Sequence, residues 1–244
     1  DRVTPEILMN FYKERMQASR CRIMLCGNIN EGVLREVSEA FTPMGNLPLP
    51  ETEQFAMHPY APGRYHVSKP DAVQTSIRIG KSGVSLLDEE YTDFQILNMI
   101  LGGYFGSRLM SNIREEKGYT YGIGSYNVNL PLAAYWMIAT DVNADQAEAT
   151  IDECMKEIRR LQTEPVPEEE LHLVKSYFNG ELLRELDGVF AQSDALKHKL
   201  NYGTDNSFYF RIIDRIRTCT AEDITRMANK YLRPEEMYII TAGR

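Results

Sequence analysis

Apolar and polar positions alternate along the chain in blocks of two kinds, long stripes with helical spacing and short runs with strand spacing. The clearest stripe is Ala147, Ile151, Cys154, Met155, Ile158 and Leu161, which predicts a helix over about 145–162 with one buried face. Helical patterns also cover Glu90–Leu101, Ser107–Lys117, 167–186, 188–202 and 207–231, the last interrupted near Thr218. Thr75-Ser76-Ile77-Arg78-Ile79 alternates with period two and predicts a strand over Gln74–Lys81. Arg64–Lys69, Tyr119–Asn127, Ala133–Asp141 and Met237–Ala242 read as further strands, and those on either side of Leu130-Pro131 predict an antiparallel pair. At the front, Thr4 before Pro5 is a helix start, predicting a helix over 4–17. A strand over Arg20–Cys26, closed by Gly27-Asn28, and a helix over Gly32–Phe41 follow. Pro43, Gly45, Pro48, Pro50, Pro59 and Pro62 then punctuate a stretch with little periodicity.

The two ends repeat one another. Aligned without a gap at a shift of 216, Thr4 meets Thr220, Glu6 meets Glu222, Leu8 meets Ile224, Ile23 meets Ile239, Met24 meets Ile240 and Gly27 meets Gly243. Each copy is a capped helix followed by a strand ending in glycine. The expected organisation is a tail of a preceding homologous domain over residues 1–29, a linker region over 30–62, and a complete domain over 63–244. The parent protein is then expected to carry a domain of similar size upstream.

Composition narrows the function classes. The 244 residues carry 43% apolar and 25% charged side chains, ordinary for a globular protein. A formal net charge of −8 argues against nucleic acid as the main partner. No apolar run is long enough for a membrane span. The expected setting is soluble, leaning cytoplasmic, with a periplasmic or secreted parent if a leader lies upstream. Cys21, Cys26, Cys154 and Cys219 have no zinc-ligand spacing and read as small buried hydrophobes.

The candidate chemistry lies in Arg114-Glu115-Glu116-Lys117-Gly118-Tyr119-Thr120-Tyr121-Gly122-Ile123-Gly124-Ser125. An arginine ends a helix, Gly118 breaks it, and a Gly-dotted aromatic strand returns. Arg114 and Tyr121 are a fixed cation with a forked donor and a hydroxyl on a stiff ring, a pair suited to holding a carbonyl oxygen that gains charge when attacked. The structural alternatives are an arginine satisfying the helix C-terminus or a carboxylate, and a tyrosine packed across the strands. Strand parity puts Tyr119 and Tyr121 on one face and does not choose between them. No attacking group is supplied nearby.

These residues resemble the C-terminal, non-zinc-binding half of the pitrilysin/insulinase family of zinc metallopeptidases, the inverzincins. The resemblance is carried by Thr4-Pro5-Glu6 through Cys26-Gly27-Asn28, by Gln74-Thr75-Ser76-Ile77, and most specifically by two blocks. These are Leu101-Gly102-Gly103-Tyr104-Phe105-Gly106-Ser107-Arg108-Leu109 and Ile113 through Gly122. It implies an α+β fold, a mostly antiparallel sheet packed against several helices as in the processing peptidases, with two homologous domains closing around an extended peptide. It also implies that Arg114 and Tyr121 contact substrate and stabilise the transition state, while zinc sits in a His-x-x-Glu-His helix of the other domain.

His58, His66, His172 and His198 are the chain's histidines, and none lies in that motif or its reverse. The catalytic set is therefore incomplete here: no metal is expected on this chain, zinc is expected on a partner domain or subunit, and the chain alone is expected to be inactive. The expected partners are a peptide substrate and a homologous zinc-bearing domain or subunit, with a homodimer left open. The expected function is the substrate-binding half of a zinc endopeptidase acting on peptides or small unfolded polypeptides; the alternative is a non-catalytic scaffold of the same fold. Two other motifs are set aside. Gly102-Gly103 with Gly106 lacks a Gly-Lys-Ser/Thr ending and reads as a flexible elbow that admits close approach of substrate or partner domain, and Glu168, Glu169 and His172 read as an acidic helix start.

Overall fold

The computed structural model describes residues 3–45, 60–131 and 133–244, which form two compact units, Asp1–Pro59 with Glu185–His198 and Tyr60–Arg184 with Lys199–Arg244. In the first unit, α1 (Pro5–Arg15) begins where Thr4 accepts the Ile7 N–H at 3.3 Å, and α2 (Glu31–Phe41) where Asn30 accepts the Val33 N–H at 3.1 Å. Between them the expected strand over Arg20–Cys26 does not form. Residues 18–20 make a 3₁₀ turn, Cys21 leaves it extended, and 21–26 join no sheet among the described residues, because a strand exists only against a neighbouring backbone. Residues 46–59, part of the expected linker and including His58, lie outside the described residues.

The second unit is built on five strands, β1 (Gly63–Ser68), β2 (Gln74–Ser82), β3 (Ile123–Leu130), β4 (Ala133–Asn143) and β5 (Tyr238–Gly243), in the order β1-β5-β2-β4-β3. All neighbours are antiparallel except β1 and β5. The alternation in β2 puts Ile77 and Ile79 on a closed face with Trp136, Ile138 and Val142 of β4. That face is covered by α3 (Tyr91–Asn98) and α4 (Ala147–Thr163), and the whole predicted α4 stripe is buried. The unit also holds α5 (Glu168–Leu186) as far as Arg184, α7 (Asn206–Thr218) and α8 (Ala221–Tyr231), whereas α6 (Gly188–Tyr202) belongs to the first unit up to His198. Phe208, Ile212 and Ile216 of α7 enter the core, whereas Phe210 is exposed because it lies on the opposite side of the helix. Cys154 and Cys219 are buried, and burial pushes each thiol up to about 12; Cys21 and Cys26 are half-buried and unbridged. The fold is α+β, as expected.

The end-to-end repeat holds residue for residue. Shifted by 216, α1 (Pro5–Arg15) falls on α8 (Ala221–Tyr231), and the 3₁₀ turn at Ala18–Arg20 falls on that at Pro234–Glu236. Thr220 caps α8 by accepting the Asp223 N–H, while the Asp223 carboxylate accepts the Thr220 N–H at 3.0 Å. In the second copy the extended segment becomes β5, held on both edges by β1 and β2.

An ionic seam ties α3, α7 and α8. Asp93, nearly buried, meets Arg215 at 2.6 Å, Arg215 reaches Asp223 at 2.7 Å, and Arg226 reaches Glu90 at 2.7 Å. Hydrogen bonds from Lys230 and Tyr231, joined by Arg226, hold the Glu90 carboxyl at about 2 against an ordinary 4.5. The Asp223 carboxyl is raised by burial but lowered more by the Thr220 N–H, Arg215 and Arg226, and also settles at about 2. A depressed carboxylate stabilises the fold fully above its unfolded value and loses that contribution as pH falls toward its folded one. The melting temperature of Glu90→Gln should therefore fall less steeply than that of the native chain between pH 4.5 and about 2. Parallel slopes would show that Glu90 contributes nothing through its charge.

Candidate functional site

Arg114 lies in a helix of unusual register. Met110–Glu116 is π-helical, and the Lys117 N–H reaches the Asn112 carbonyl at 3.1 Å. Gly118, at φ 66°, closes it as expected, with the Tyr119 N–H turning back to the Ile113 carbonyl at 3.0 Å. The rear of the helix is pinned. The Asn112 amide donates to Glu153 at 2.9 Å and to Glu157 at 2.8 Å on α4, and Arg108 makes a two-pronged pair with Glu170 at 2.8 and 2.7 Å. The Asn112 amide, joined by Lys156 and Lys117, holds the Glu153 carboxyl below its ordinary value.

The front carries Arg114. Among the described residues its guanidinium makes no hydrogen bond and no ion pair; instead it lies over the Phe105 ring, 4.7 Å from the centroid. The carboxylate pairing weighed for it is therefore not made. Phe105 itself is exposed, in the Gly-rich elbow between the π turn Met99–Gly103 and the Arg114 helix.

Tyr121 does not lie in a strand. The strand expected from Tyr119 begins at Ile123, because the Thr120 hydroxyl takes over the pairing: it donates to the Asp141 carbonyl at 2.8 Å and receives the Gly122 N–H at 3.2 Å. The parity argument thus fails, and the two tyrosines separate. Tyr119 packs on the core, while Tyr121 is 95% exposed.

Beside these residues a cleft of ≈ 530 Å³ opens on the uncovered sheet face. Phe105 and Gly122 line it, so it adjoins the ring beneath Arg114 and the backbone next to Tyr121. Its lining also includes Gly103, Tyr104 and Met110 from the elbow and the helix after it, and Arg78, Gly124, Tyr126, Ala139 and Asp141 from the sheet. The sequence offered one signal for Phe105, an aromatic between glycines, and none for the cleft.

The elbow is held from below by a buried polar cluster. Asn98 donates to the Ser125 carbonyl at 3.0 Å and accepts from the Trp136 indole at 2.8 Å, and the Ser125 hydroxyl donates to the Asn98 carbonyl at 3.1 Å. Gly102 sits against this strand: a Cβ there would lie 2.7 Å from the Ser125 nitrogen. The backbone that comes close at Gly102 is that of β3 in the same unit. Gly102→Ala is expected to destabilise the fold by about 1–3 kcal/mol, as overpacking does, measured by denaturant unfolding; an unchanged midpoint would mean that the elbow yields freely.

The residues present do not fit a metal. Among the described residues no three His, Cys, Asp or Glu side chains converge on one point, and His66 is engaged with the Thr241 hydroxyl at 2.9 Å. No helix among them is long and apolar enough to cross a membrane.

Residues 2–178 match the family profile described as the peptidase M16 inactive domain. The chain belongs to the peptidase M16 family. It is 28% identical over 230 residues to an uncharacterized zinc protease of Rickettsia felis, a match covering 93% of this chain and 54% of that protein. The crystal structure of a peptidase M16 inactive domain from Pseudomonas fluorescens superposes with a TM-score of 0.78 at 26% identity, covering 99% of this chain and 58% of that one. A protease from Helicobacter pylori superposes at 0.79 with 17% identity, covering 100% and 59%, which shows the shared fold. The chain thus spans about half the length of the curated relatives it matches. It is an M16 inactive domain of the kind found in zinc protease-like proteins, a metallopeptidase family.

Proposed function

We propose that this M16 domain is the substrate-gripping half of a zinc-dependent endopeptidase that cleaves peptides or small unfolded polypeptides. One observation carries the reading: Arg114 has no carboxylate partner among the described residues and lies on the Phe105 ring, which lines an open cleft together with Gly122, the neighbour of the 95% exposed Tyr121. A paired arginine would have to break its pair to bind; this one is presented ready. In this reading Arg114 holds a substrate backbone carbonyl, and the Tyr121 hydroxyl donates to the oxygen as it gains charge. Neither requires rearrangement of the helix behind, which Asn112 and Arg108 fix.

The zinc and the attacking water belong to a partner. The residue-for-residue repeat supports a homologous domain upstream, with residues 1–29 as its closing helix and strand, residues 30–62 as the linker, and residues 63–244 as the second domain. The length of the relatives agrees with that organisation. The test is cleavage of an unfolded peptide by the full-length protein. Cleavage is expected to stop on removal of zinc by a chelator and to be strongly impaired by Arg114→Ala combined with Tyr121→Phe. Kinetics untouched by both substitutions would refute the assigned roles; no cleavage under any condition would favour the scaffold reading.

A further inference from the structure

We infer that Thr120 is a positioning residue for Tyr121: its hydroxyl ends the sheet at Ile123 and so keeps the tyrosine in solvent instead of on the covered face. The inference deepens the proposed function and rests on it for the part that Tyr121 plays.

Strands β3 and β4 stay in step to their last rung, where Ile123 stands opposite Thr140. Carried further in that register, Gly122 would face Asp141 and Tyr121 would face Val142. Side chains alternate along a strand, so Tyr121 would then share the side of Ile123 and Val142, which are both buried. Its hydroxyl would be lost to the substrate.

Two hydroxyls stop this by taking the groups that a further rung would use. Thr120 donates to the Asp141 carbonyl at 2.8 Å and accepts the Gly122 N–H at 3.2 Å. Thr140, itself buried, donates to the Gly122 carbonyl at 2.9 Å and lies 3.0 Å from the Thr120 oxygen. Each hydroxyl spends its one proton. The Gly122 N–H and the Asp141 carbonyl, natural partners in an antiparallel ladder, thus meet through Thr120 and not directly. Tyr121 makes no hydrogen bond or ring contact of its own among the described residues, so its place depends on the turn that carries it. In the isosteric Thr120→Val those two backbone groups are released to bond each other, and a β-branched side chain favours the strand.

The experiment reads the position of Tyr121 separately from turnover. The full-length protein, native and as Thr120→Val and Thr120→Ser, is treated with tetranitromethane. Nitration of Tyr121 is measured by peptide mass spectrometry against Tyr60, which is 76% exposed. The ratio is expected to fall about 10-fold in Thr120→Val, the population shift that one hydrogen bond can hold. It should stay close to native in Thr120→Ser, which keeps the hydroxyl. With an unfolded peptide as substrate, Thr120→Val should lower kcat and leave KM little changed, as Tyr121→Phe does. The double variant should be no slower than Tyr121→Phe alone, and Thr120→Ser should recover most of the loss. Unfolding midpoints confirm that the fold is intact, and Thr120→Ala, which lacks the hydroxyl and adds no bulk, should repeat the Thr120→Val result. Unaltered nitration of Tyr121 in either variant overturns the inference, as does a Thr120→Ser variant that behaves like Thr120→Val. If nitration falls while kcat is unchanged in both Thr120→Val and Tyr121→Phe, the positioning by Thr120 stands and the proposed role of Tyr121 falls.

Discussion

Arg114→Ala in the full-length protein is expected to lower kcat/KM for an unfolded peptide by about 10²- to 10³-fold, the usual result of deleting one donor to a developing oxyanion. Part of that loss should appear in KM, because a guanidinium that holds a substrate carbonyl does so before the bond is attacked. Tyr121→Phe should act mainly on kcat, since a hydroxyl on a side chain 95% exposed adds little to ground-state binding. Arg114→Lys should recover only part of the activity, because an ammonium keeps the charge but loses the flat fork and its stacking on Phe105. Phe105→Ala tests the same geometry from the other side: Arg114 loses its ring and becomes mobile, and activity should fall by less than in Arg114→Ala. Steady-state kinetics on the four variants give the ordering. If Phe105→Ala proved the most damaging, the ring and not the guanidinium would be the primary contact.

The largest expected loss of stability follows from Asn98→Ala. Its side chain serves two buried groups, the Trp136 indole N–H at 2.8 Å and the Ser125 carbonyl at 3.0 Å, and both would lose their partner where water has little access. A buried polar group left unpaired costs about 1–3 kcal/mol, so the two together imply a loss of about 2–6 kcal/mol. Asn98→Asp separates the two roles, because it keeps an acceptor for Trp136 and removes the donor to Ser125. Urea unfolding of both variants, with Trp136 fluorescence as the probe, reads the effect. A loss below about 1 kcal/mol in Asn98→Ala would mean that the two groups find other partners or water. Because β3 and the π turn Met99–Gly103 meet through this cluster, the same variants should also loosen the elbow that carries Phe105.

Features that depend on a few neighbouring residues were legible in the sequence. Thr4 and Thr220 cap their helices, Gly118 ends the Arg114 helix with positive φ, and the α4 stripe is buried as its spacing requires. The family resemblance led to Arg114 and Tyr121 as the residues to examine. What was not legible depends on groups far apart in the chain. The strand at Tyr119 fails because one hydroxyl, Thr120, reaches the carbonyl of Asp141 on β4. The strand at Arg20–Cys26 has the right residues but no neighbouring backbone among those described. The stacking of Arg114 on Phe105 and the cleft next to it exist only once the elbow has folded over the sheet. The sequence shows which side chains are chemically able, and the tertiary contacts decide which of them are at liberty.

The π register of Met110–Glu116 bears on how relatives of this chain should be compared. Such a helix holds one residue more per turn than its length seems to need, and it is readily pictured as an α-helix that has accepted an insertion. Removing one residue before Arg114 would let the ordinary register return and swing every later side chain by about 100° around the axis. The arginine would then leave the Phe105 ring, although its spacing to the tyrosine would be unchanged. A relative can therefore carry the whole Arg-to-Tyr motif and still aim its arginine elsewhere, and the place to look for the difference is a gap of one residue upstream of the motif.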